Sequence, residues 1–337
     1  MSDVIILAIE TSCDETACAI MKNGKEVLSN IVYSQIDYHK HFGGVIPESA
    51  SRMHTENISR VIKIAIEEAG ITYADIDAVA YTKGPGLIGA LHIGIVAAKT
   101  FAFTINKPLI AVNHIYGHIK SNEIESDDLQ YPLLSLIVSG GHSELIYFKD
   151  ELNYEVLGKT TDDAVGEAFD KVGRVMDIPY PGGVEIDKLS KIGQATYDIK
   201  MPQADGENNF SFSGLKSSVI QLINREKKAG REIDNADLAA SFQKVAIDQL
   251  ISVSEELIQK LHISQFVIAG GVSANSRIRS QVNRLIEKYP DIKFSYPELK
   301  YCGDNAAMIG TAAYTMYQHQ MFSGLDEGAV PGYRKLI

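Results

Sequence analysis

The two halves of this sequence repeat one order of strands, polar loops and helices. Residues 4–9 are apolar and β-prone and lead into a polar loop, and residues 133–138 do the same. Hydroxyl residues occupy matching places in the two loops, since Ser12 and Ser139 are 127 positions apart, and so are Thr16 and Ser143. A chain of 337 residues that is built twice in this way is expected to form two related domains.

The later parts of the two halves match as well. In the first half, a strand over Asp77–Thr82 is followed by a glycine loop and a helix from residue 88 to about 103. In the second half, a strand over Gln265–Ala269 is followed by the loop Gly270–Asn275 and a helix to about residue 289. Each half then adds one more strand and one more helix. Strands that alternate with helices predict largely parallel sheets covered by helices.

The predicted fold is therefore an α/β fold of two lobes, with a mixed sheet in each lobe and a central cleft between them. The predicted domains are a first lobe over 1–130 and a second lobe over 131–304, with a C-terminal helix over 305–337 packing back on the first lobe. The second and third predicted strands, over 16–21 and 25–33, are expected to be joined by a turn at Asn23-Gly24, a pair that favours a type I′ turn.

This duplicated pattern resembles the actin, Hsp70 and sugar-kinase superfamily. In that superfamily, two hairpin loops face each other across the cleft and hold phosphates, and a Gly-Gly loop in the second lobe holds the adenosine. The matching stretches here are Glu10–Thr16, Ser139–Ser143 and Gly270–Asn275. Three such loops in this order favour nucleotide binding more strongly than any one of them does.

Composition and charge limit the binding partners and the cellular location that we expect for the chain. The formal net charge is −11, which argues against binding nucleic acid over the whole surface but allows a local basic patch. Three cysteines without a C-x-x-C pair support neither a disulfide framework nor a cysteine zinc site, and reduced thiols are typical of the cytoplasm. We expect no signal peptide, because the N-terminal apolar run is short and its first charge is acidic, and no membrane span, because no apolar run reaches about 18 residues. The expected location is cytoplasmic.

The loop Ser139-Gly140-Gly141 has the composition of an anion-binding turn. Glycines let the backbone approach a ligand, and successive backbone N–H groups form concavities that bind anions. A tight hairpin would also need glycine, but the matching loop at 10–16 has none. The pattern therefore favours contact with a ligand at 139–141.

A histidine pair marks the junction of a strand and a helix in the first half. His114 and His118 are four residues apart, which puts both imidazoles on one helical face. The equivalent junction in the second half carries Asp304, and pseudo-symmetry would place this carboxylate opposite the histidines across the cleft. Two histidines and one carboxylate with open positions suit a divalent metal, and the ligands fit zinc and iron equally.

With these residues assembled, the chain resembles the tRNA N6-adenosine threonylcarbamoyltransferase family over essentially its whole length. The matching motifs are Ile9–Thr16, Gly43–Glu48, Gly84–Gly86, Asn113–His118, Val138–His142, Glu167–Lys171, Pro181–Gly183, Phe210–Lys216 and Gly270–Asn275. So many motifs in order are highly specific for the family.

The resemblance implies the activity, the cofactor and the partners. Members transfer a threonylcarbamoyl group from threonylcarbamoyl-AMP to N6 of adenosine 37 in tRNAs that read codons beginning with adenine. It implies one divalent metal per subunit, with iron(II) favoured over zinc, held by His114, His118 and Asp304. It implies two bacterial partners, the degenerate paralogue TsaB and the ATPase TsaE, and no membrane. The residues that would hold the adenylate are Ile137, Val138, Ser139, Gly140, Gly141, Asp170, Gly183, Asp187 and Asn275.

Several side chains have two interpretations. Glu10 and Asp14 are the candidate catalytic residues that take a proton from the incoming amine, or else they order their loop. Asp170 and Asp187 bind ribose hydroxyls or cap helices. Because an adenine N6 amine is a poor nucleophile, positioning should matter more than a strong base. Candidate contacts to tRNA phosphates, with ordinary surface charge as the alternative, are Lys83, Lys171, Arg174 and Lys216.

Three other functions fit part of the pattern. An ATP-dependent small-molecule kinase of the same superfamily explains the loops but leaves the histidine pair unused. A non-catalytic nucleotide-binding partner should have lost its metal ligands. A zinc peptidase is disfavoured because Ile115 stands where the His-Glu-x-x-His motif has its glutamate.

Overall fold

The computed structural model describes residues 3–201 and 204–337, which form two compact units. The first unit contains the chain up to Leu129 together with Pro297–Ile337, and the second is Gln130–Tyr296. The predicted lobes 1–130 and 131–304 include residues 1, 2, 202 and 203, which lie outside the described residues. Residues 297–304, which the sequence predicts for the end of the second lobe, belong to the first unit instead.

The first unit is built on a five-stranded mixed sheet with the order β3-β2-β1-β4-β5. Its strands are β1 (Ile5–Glu10), β2 (Glu15–Lys22), β3 (Glu26–Ser34), β4 (Ala78–Gly84) and β5 (Leu109–Asn113). β1 pairs antiparallel with β2 and parallel with β4. The hairpin of β2 and β3 turns at Asn23 and Gly24, which both have positive φ, 52° and 70°, as a type I′ turn requires.

Helices cover both faces of this sheet. They are α1 (Ile36–His39), α2 (Pro47–Ala69), α3 (Ile88–Ile105), α4 (His114–Lys120), α10 (Leu299–Cys302) and α11 (Ala306–Gln318). Leu7 and Ile9 of β1 pack in one cluster with Leu91 of α3. On the other face, Gly310 of α11 comes close to Ala8. Burial on both faces explains why β1 is a continuous apolar run rather than an alternating one.

Among the described residues, α3 is the one helix whose length and apolar composition would suffice to cross a membrane. Core helices of globular proteins pass the same test. Here Leu91 and Ile95 pack into the core of the first unit. The other side of α3 lines, with α2, an apolar groove of about 740 Å³.

The second unit repeats the sheet, with the order β8-β7-β6-β9-β10. Its strands are β6 (Leu133–Val138), β7 (Ser143–Phe148), β8 (Tyr154–Lys159), β9 (Gln265–Ala269) and β10 (Lys293–Ser295). Its helices are α5 (Val165–Val175), α6 (Gly182–Ser190), α7 (Ser213–Lys228), α8 (Asn235–Lys260) and α9 (Ser276–Lys288). The predicted α/β fold with one mixed sheet in each half is confirmed. The second unit places four helices between its third and fourth strands, where the first has only α1 and α2.

The last helix is shorter than the sequence predicts. α11 ends at Gln318, so the predicted helix over 305–337 is wrong for the residues after 318. The later residues include Gly324, Gly328 and Pro331, which disfavour a helix interior. This non-helical segment lies on the first unit, as its backbone bond from Ser323 to the Leu109 carbonyl shows.

Candidate functional site

The histidine pair lies at the start of a short helix that follows a buried strand. Asn113 ends β5 and caps α4, since its Oδ1 accepts hydrogen bonds from the N–H groups of Ile115 (2.7 Å) and Tyr116 (3.2 Å). His114 and His118 then occupy one face of α4, and both imidazoles are buried. Their rings meet edge to face with centroids 4.6 Å apart.

Asp304 completes the cluster that the sequence predicts. Its Oδ1 lies 3.5 Å from His114 Nε2 and 3.2 Å from His118 Nε2. Neighbouring ligands of a metal with bonds of about 2.1 Å are roughly 3.0–3.4 Å apart, so these separations fit a metal centre. All three residues belong to the first unit, which corrects the expectation that Asp304 comes from the other lobe. The chain from Pro297 onward packs in the first unit, so Asp304 and the two histidines come from the same unit.

His118 carries the strongest sign that this cluster binds something. It is fully buried; its Nδ1 has no hydrogen-bond partner in the described part of the chain, and its Nε2, 3.2 Å from the Asp304 carboxylate, makes no hydrogen bond of acceptable geometry. A buried polar group without a partner costs about 1–3 kcal/mol. A divalent metal held together with His114 and Asp304 would satisfy Nε2, so the residues present fit such an ion.

Glu10 orients His114 from behind. Its Oε2 lies 3.2 Å from His114 Nδ1 and also accepts from the Thr82 hydroxyl, while Oε1 accepts from Ser12 N–H. A carboxylate on Nδ1 leaves Nε2 free to bind a metal, the arrangement common in histidine-ligated centres. Because Glu10 is fully buried and both of its oxygens are engaged, the geometry favours a positioning role over the predicted role as proton acceptor.

The charges of this cluster shift the pKa values of its members. Burial acts to lower the pKa of His114, but the carboxylates of Asp304 and Glu10 outweigh it and raise that pKa to about 9. Burial acts to raise the pKa of Glu10, but the imidazolium of His114 outweighs it and the pKa is lowered. The pKa of His118 is lowered by burial and then by the charge of His114. One imidazole of the pair therefore holds a proton in the metal-free protein.

This proton predicts a pH dependence of metal binding. The folded pKa of His114, about 9, lies above the ordinary value of 6.5, so its protonation stabilises the metal-free fold below pH 6.5 and that contribution is lost as pH rises through 9. A metal needs the neutral ring. We therefore expect the affinity for Co²⁺ to rise by about tenfold per pH unit between pH 6.5 and 8, measured by calorimetric titration. Glu10→Gln should flatten this slope, and a pH-independent affinity of the unaltered protein would contradict the assignment.

Two neighbouring carboxyl groups, Asp14 and Glu15, lie where the loop after β1 leads into β2. Asp14 is buried, and its Oδ2 has no N–H or O–H donor among the described residues. Burial, and next the charge of Asp14, raise the pKa of Glu15 well above its usual range. Glu15 therefore holds its proton to a higher pH than an exposed glutamate does, which leaves Asp14, the residue that the sequence predicts, as the candidate proton acceptor of this loop.

A buried histidine of α2 holds this hairpin loop in place. His54 Nε2 donates to the Cys13 carbonyl (3.0 Å), and its Nδ1 accepts from the Thr16 hydroxyl (2.7 Å). Burial is the first cause that lowers the pKa of His54, which keeps the ring neutral. The loop is therefore ordered by the fold before any ligand binds.

In the second unit, the loop Ser139-Gly140-Gly141 follows β6 as predicted. Ser139 closes the turn, since its N–H donates to the His142 carbonyl (2.8 Å) and its hydroxyl accepts from His142 N–H (3.1 Å). Gly140 and Gly141 are exposed, and a Cβ built on either meets no atom within 4 Å. Neither glycine has a positive φ, so the backbone alone does not require glycine here.

Two glycines outside this loop allow other segments to pack closely against it. A Cβ on Gly166, in the first turn of α5, would lie 2.6 Å from the Ser139 carbonyl oxygen. Gly270 has a φ of 94°, and a side chain there would collide with the Val138 carbonyl. These close approaches place the N-terminus of α5 and the Gly-Gly loop after β9 against residues 138–140. Gly166 lies outside the glycine motifs of the sequence.

The other predicted adenylate residues lie on one framework around α6. Asp170 Oδ1 accepts from Gly182 N–H (2.7 Å), next to Gly183 at the start of α6. Asp187 Oδ1 accepts from the N–H (3.1 Å) and hydroxyl (2.7 Å) of Ser276. Asn275 caps α9 and donates to Gln243 (2.7 Å). Their hydrogen bonds within the protein hold α5, α6 and α9 together, which supports the capping interpretation at Asp187.

Other predicted residues are less available to a ligand. The side chains of Ile137 and Val138 are fully buried in β6, so only their backbone can contact a ligand. Lys83 pairs with Glu327 (2.6 Å), and Lys171 pairs with Asp163 (2.7 Å). Of the four candidate tRNA contacts, Arg174 and Lys216 are exposed.

Sequence comparisons show which known proteins this chain is similar to. Residues 26–311 match the model of the family described as "TsaD: tRNA N6-adenosine threonylcarbamoyltransferase". A protein of that name from Staphylococcus haemolyticus is 50% identical over 325 residues, which cover 96% of this chain and 94% of that protein. One from Bacillus subtilis is 48% identical over 333 residues, which cover 98% of this chain and 95% of that protein.

Solved structures share the fold at low sequence identity. The activator of the 2-hydroxyisocaproyl-CoA dehydratase from Clostridium difficile, with bound ADPNP, is 14% identical with a TM-score of 0.55, over 94% of this chain and 97% of that one. HypF of T. kodakarensis is 12% identical with a TM-score of 0.62, over 97% of this chain and 50% of that one. These likenesses show the fold alone.

Proposed function

The chain belongs to the tRNA N6-adenosine threonylcarbamoyltransferase family, and from this premise we propose that it modifies adenosine 37 of tRNAs that read codons beginning with adenine. The donor would be threonylcarbamoyl-AMP, and the acceptor the N6 amine of adenosine. The observation that carries this proposal is the 50% identity to a protein of that name over 96% of the chain. The buried His-His-Asp cluster, which a kinase would not need, supports it.

The proposed cofactor is one divalent metal per chain, with iron(II) favoured over zinc. His114 and His118 would supply imidazole nitrogens and Asp304 a carboxylate oxygen. Two histidines and one carboxylate leave positions open for substrate, as in iron(II) centres of this ligand set. A metal bound there supplies Lewis acidity toward the donor carbonyl.

The second unit is the proposed binding site for the adenylate. Open space at Gly140 and Gly141 lets a phosphate approach the backbone N–H groups, which stabilise the negative charge that grows on the leaving AMP. The half-buried face of α6 around Gly183 and Asp187 is the proposed neighbour of the nucleoside. The framework of hydrogen bonds around α6 keeps these groups in place before the donor binds.

In the proposed transfer, the N6 nitrogen attacks the carbonyl carbon of the donor. A C–N bond forms, the C–O bond to the phosphate breaks, AMP leaves, and N6 loses one proton. The Asp14 carboxylate is the proposed acceptor of that proton, because its Oδ2 is buried without a hydrogen-bond donor among the described residues. Positioning of the weakly nucleophilic amine contributes more than proton removal.

The proposed partners are tRNA, the degenerate paralogue TsaB and the ATPase TsaE, as the family resemblance implies, in a cytoplasmic setting without a membrane. Arg174 and Lys216 are the proposed phosphate contacts in the second unit, because both are exposed. Each phosphate contact that is lost should weaken tRNA binding and reduce its salt dependence.

The metal proposal is tested by removing and restoring the ion. Protein purified without oxygen should contain close to one divalent metal per chain. Chelation should stop threonylcarbamoyl transfer, and iron(II) should restore more of it than zinc. A better recovery with zinc would reverse the choice of metal. Full activity after complete metal removal would overturn the metal's catalytic role, and ATP-dependent phosphorylation of a small molecule without transfer would favour the kinase alternative.

A further inference from the structure

Residues Glu327–Leu336, here called the strap, cross the glycine loop of the first unit. Val330 N–H donates to the Lys83 carbonyl (2.9 Å), and Gly86 N–H donates to the Pro331 carbonyl (3.1 Å). These backbone bonds attach the strap to the loop between β4 and α3, although the strap itself is neither helix nor strand.

Side chains reinforce this attachment. Lys83 Nζ pairs with Glu327 (2.6 Å) and lies 4.9 Å from the centre of the Tyr333 ring. A side chain at Gly84 would collide with the Val330 carbonyl. Only glycine at position 84 lets the strap come this close, so loop and strap are fitted to each other.

The strap reaches the metal-binding helix through Asn113. The Nδ2 of this buried side chain donates to the carbonyls of Tyr333 (3.3 Å) and Lys335 (2.9 Å). Its Oδ1 meanwhile accepts from the N–H groups of Ile115 (2.7 Å) and Tyr116 (3.2 Å). One amide therefore caps α4 and holds the strap, and it immediately precedes His114.

A second route leads through the glycine loop. Leu87 N–H donates to the Ser12 carbonyl (2.8 Å), and a Cβ on Gly86 would lie 2.6 Å from that carbonyl oxygen. The Ser12 hydroxyl is 3.2 Å from His114 Nδ1. The strap thus acts on His114 from two sides, through the helix cap and through the loop that contacts the ring.

We propose that the strap positions the histidines of the metal centre and so sets the affinity of that centre for its divalent ion, with Asn113 as the positioning residue. The inference rests on the proposed metal function but concerns residues outside the ligand set. Outer residues that orient metal-bound imidazoles typically contribute about 10- to 100-fold in affinity. A start of α4 that is free to shift would lose part of that contribution.

Asn113→Asp separates the two roles of the side chain. A carboxylate still accepts from the helix N–H groups, but it donates nothing to the strap and faces two carbonyl oxygens. Its negative charge near a cation would by itself tighten metal binding. We expect the opposite: a Co²⁺ dissociation constant about tenfold higher and an altered visible spectrum of bound Co²⁺. Lys335→Ala is the matched control, because it keeps the backbone carbonyl that accepts from Asn113, and it should bind Co²⁺ like the unaltered protein.

Ending the chain after Gly332 tests the same contact from the other side. This shortened protein lacks both acceptor carbonyls and should also bind Co²⁺ about tenfold more weakly. If both changes break one contact, Asn113→Asp in the shortened chain should add less than a further twofold. Thermal unfolding of the metal-free proteins shows whether each variant is folded, and Asn113→Asp keeps the test available if the shortened chain is not.

The outcomes distinguish this inference from the proposed function. Weaker Co²⁺ binding by both variants, without additivity, is the expected result. Unchanged binding by Asn113→Asp, or fully additive losses, would overturn the role of the strap while leaving the metal centre in place. Failure of the unaltered protein to bind Co²⁺ would overturn the metal proposal and this inference with it.

Discussion

Replacing His114 and His118 together by alanine is expected to reduce threonylcarbamoyl transfer by about 10³-fold or more. Loss of the proposed metal, which would polarise the donor carbonyl, would remove several kcal/mol of transition-state stabilisation, and each 1.4 kcal/mol corresponds to about tenfold in rate. The substitution should also reduce bound metal from one per chain to none. Both effects are measured on the same preparation, by the initial rate of modified adenosine formation and by elemental analysis.

A matched control uses a histidine away from the cluster. His262 is exposed and precedes β9 in the second unit, so His262→Ala should leave rate and metal content unchanged. A double variant that is folded by circular dichroism and metal-free but still transfers at the normal rate would exclude the metal from the reaction.

The second large effect is expected at a glycine that the fold does not require. Gly140→Val should leave the free energy of unfolding within about 0.5 kcal/mol, because Gly140 is exposed and a Cβ there meets no atom within 4 Å. The same side chain would occupy the space proposed for the phosphate. We expect the dissociation constant for AMP to rise by at least about tenfold, equivalent to ~1.4 kcal/mol, in calorimetric titration.

Gly193→Val is the contrasting control in the same unit. A Cβ on Gly193 would overlap the backbone of Ala236, so this variant should unfold at a clearly lower temperature, and its folded fraction should bind AMP normally. If Gly140→Val bound AMP like the unaltered protein, the loop at 139–141 would be a turn and not a phosphate site.

Much of the fold could be predicted because the chain is duplicated. β6 occupies Leu133–Val138 and β9 occupies Gln265–Ala269, as the apolar runs predict. The apolar composition of buried strands makes them recognisable in the sequence, and the repeat predicts their order. The repeat also led to Asp304 as a third residue beside His114 and His118, although it placed that residue in the wrong unit.

What sequence patterns missed are contacts between distant segments. Glu10 and Glu15 flank one loop in the sequence, but only burial and neighbours show that Glu10 orients His114 and that the pKa of Glu15 is raised. The strap has no periodicity, and Asn113 binds its backbone carbonyls, which every residue type carries. Gly166 resembles any glycine in a helix until the Ser139 carbonyl is seen against it.

The central claim is tested most directly by following the product on tRNA. The purified protein is incubated with unmodified tRNA, threonylcarbamoyl-AMP and the proposed partners TsaB and TsaE, and the digested nucleosides are analysed by mass spectrometry. The account predicts N6-threonylcarbamoyladenosine at position 37 of tRNAs that read codons beginning with adenine. Absence of this nucleoside, in a mixture where the Bacillus subtilis relative produces it, would contradict the account.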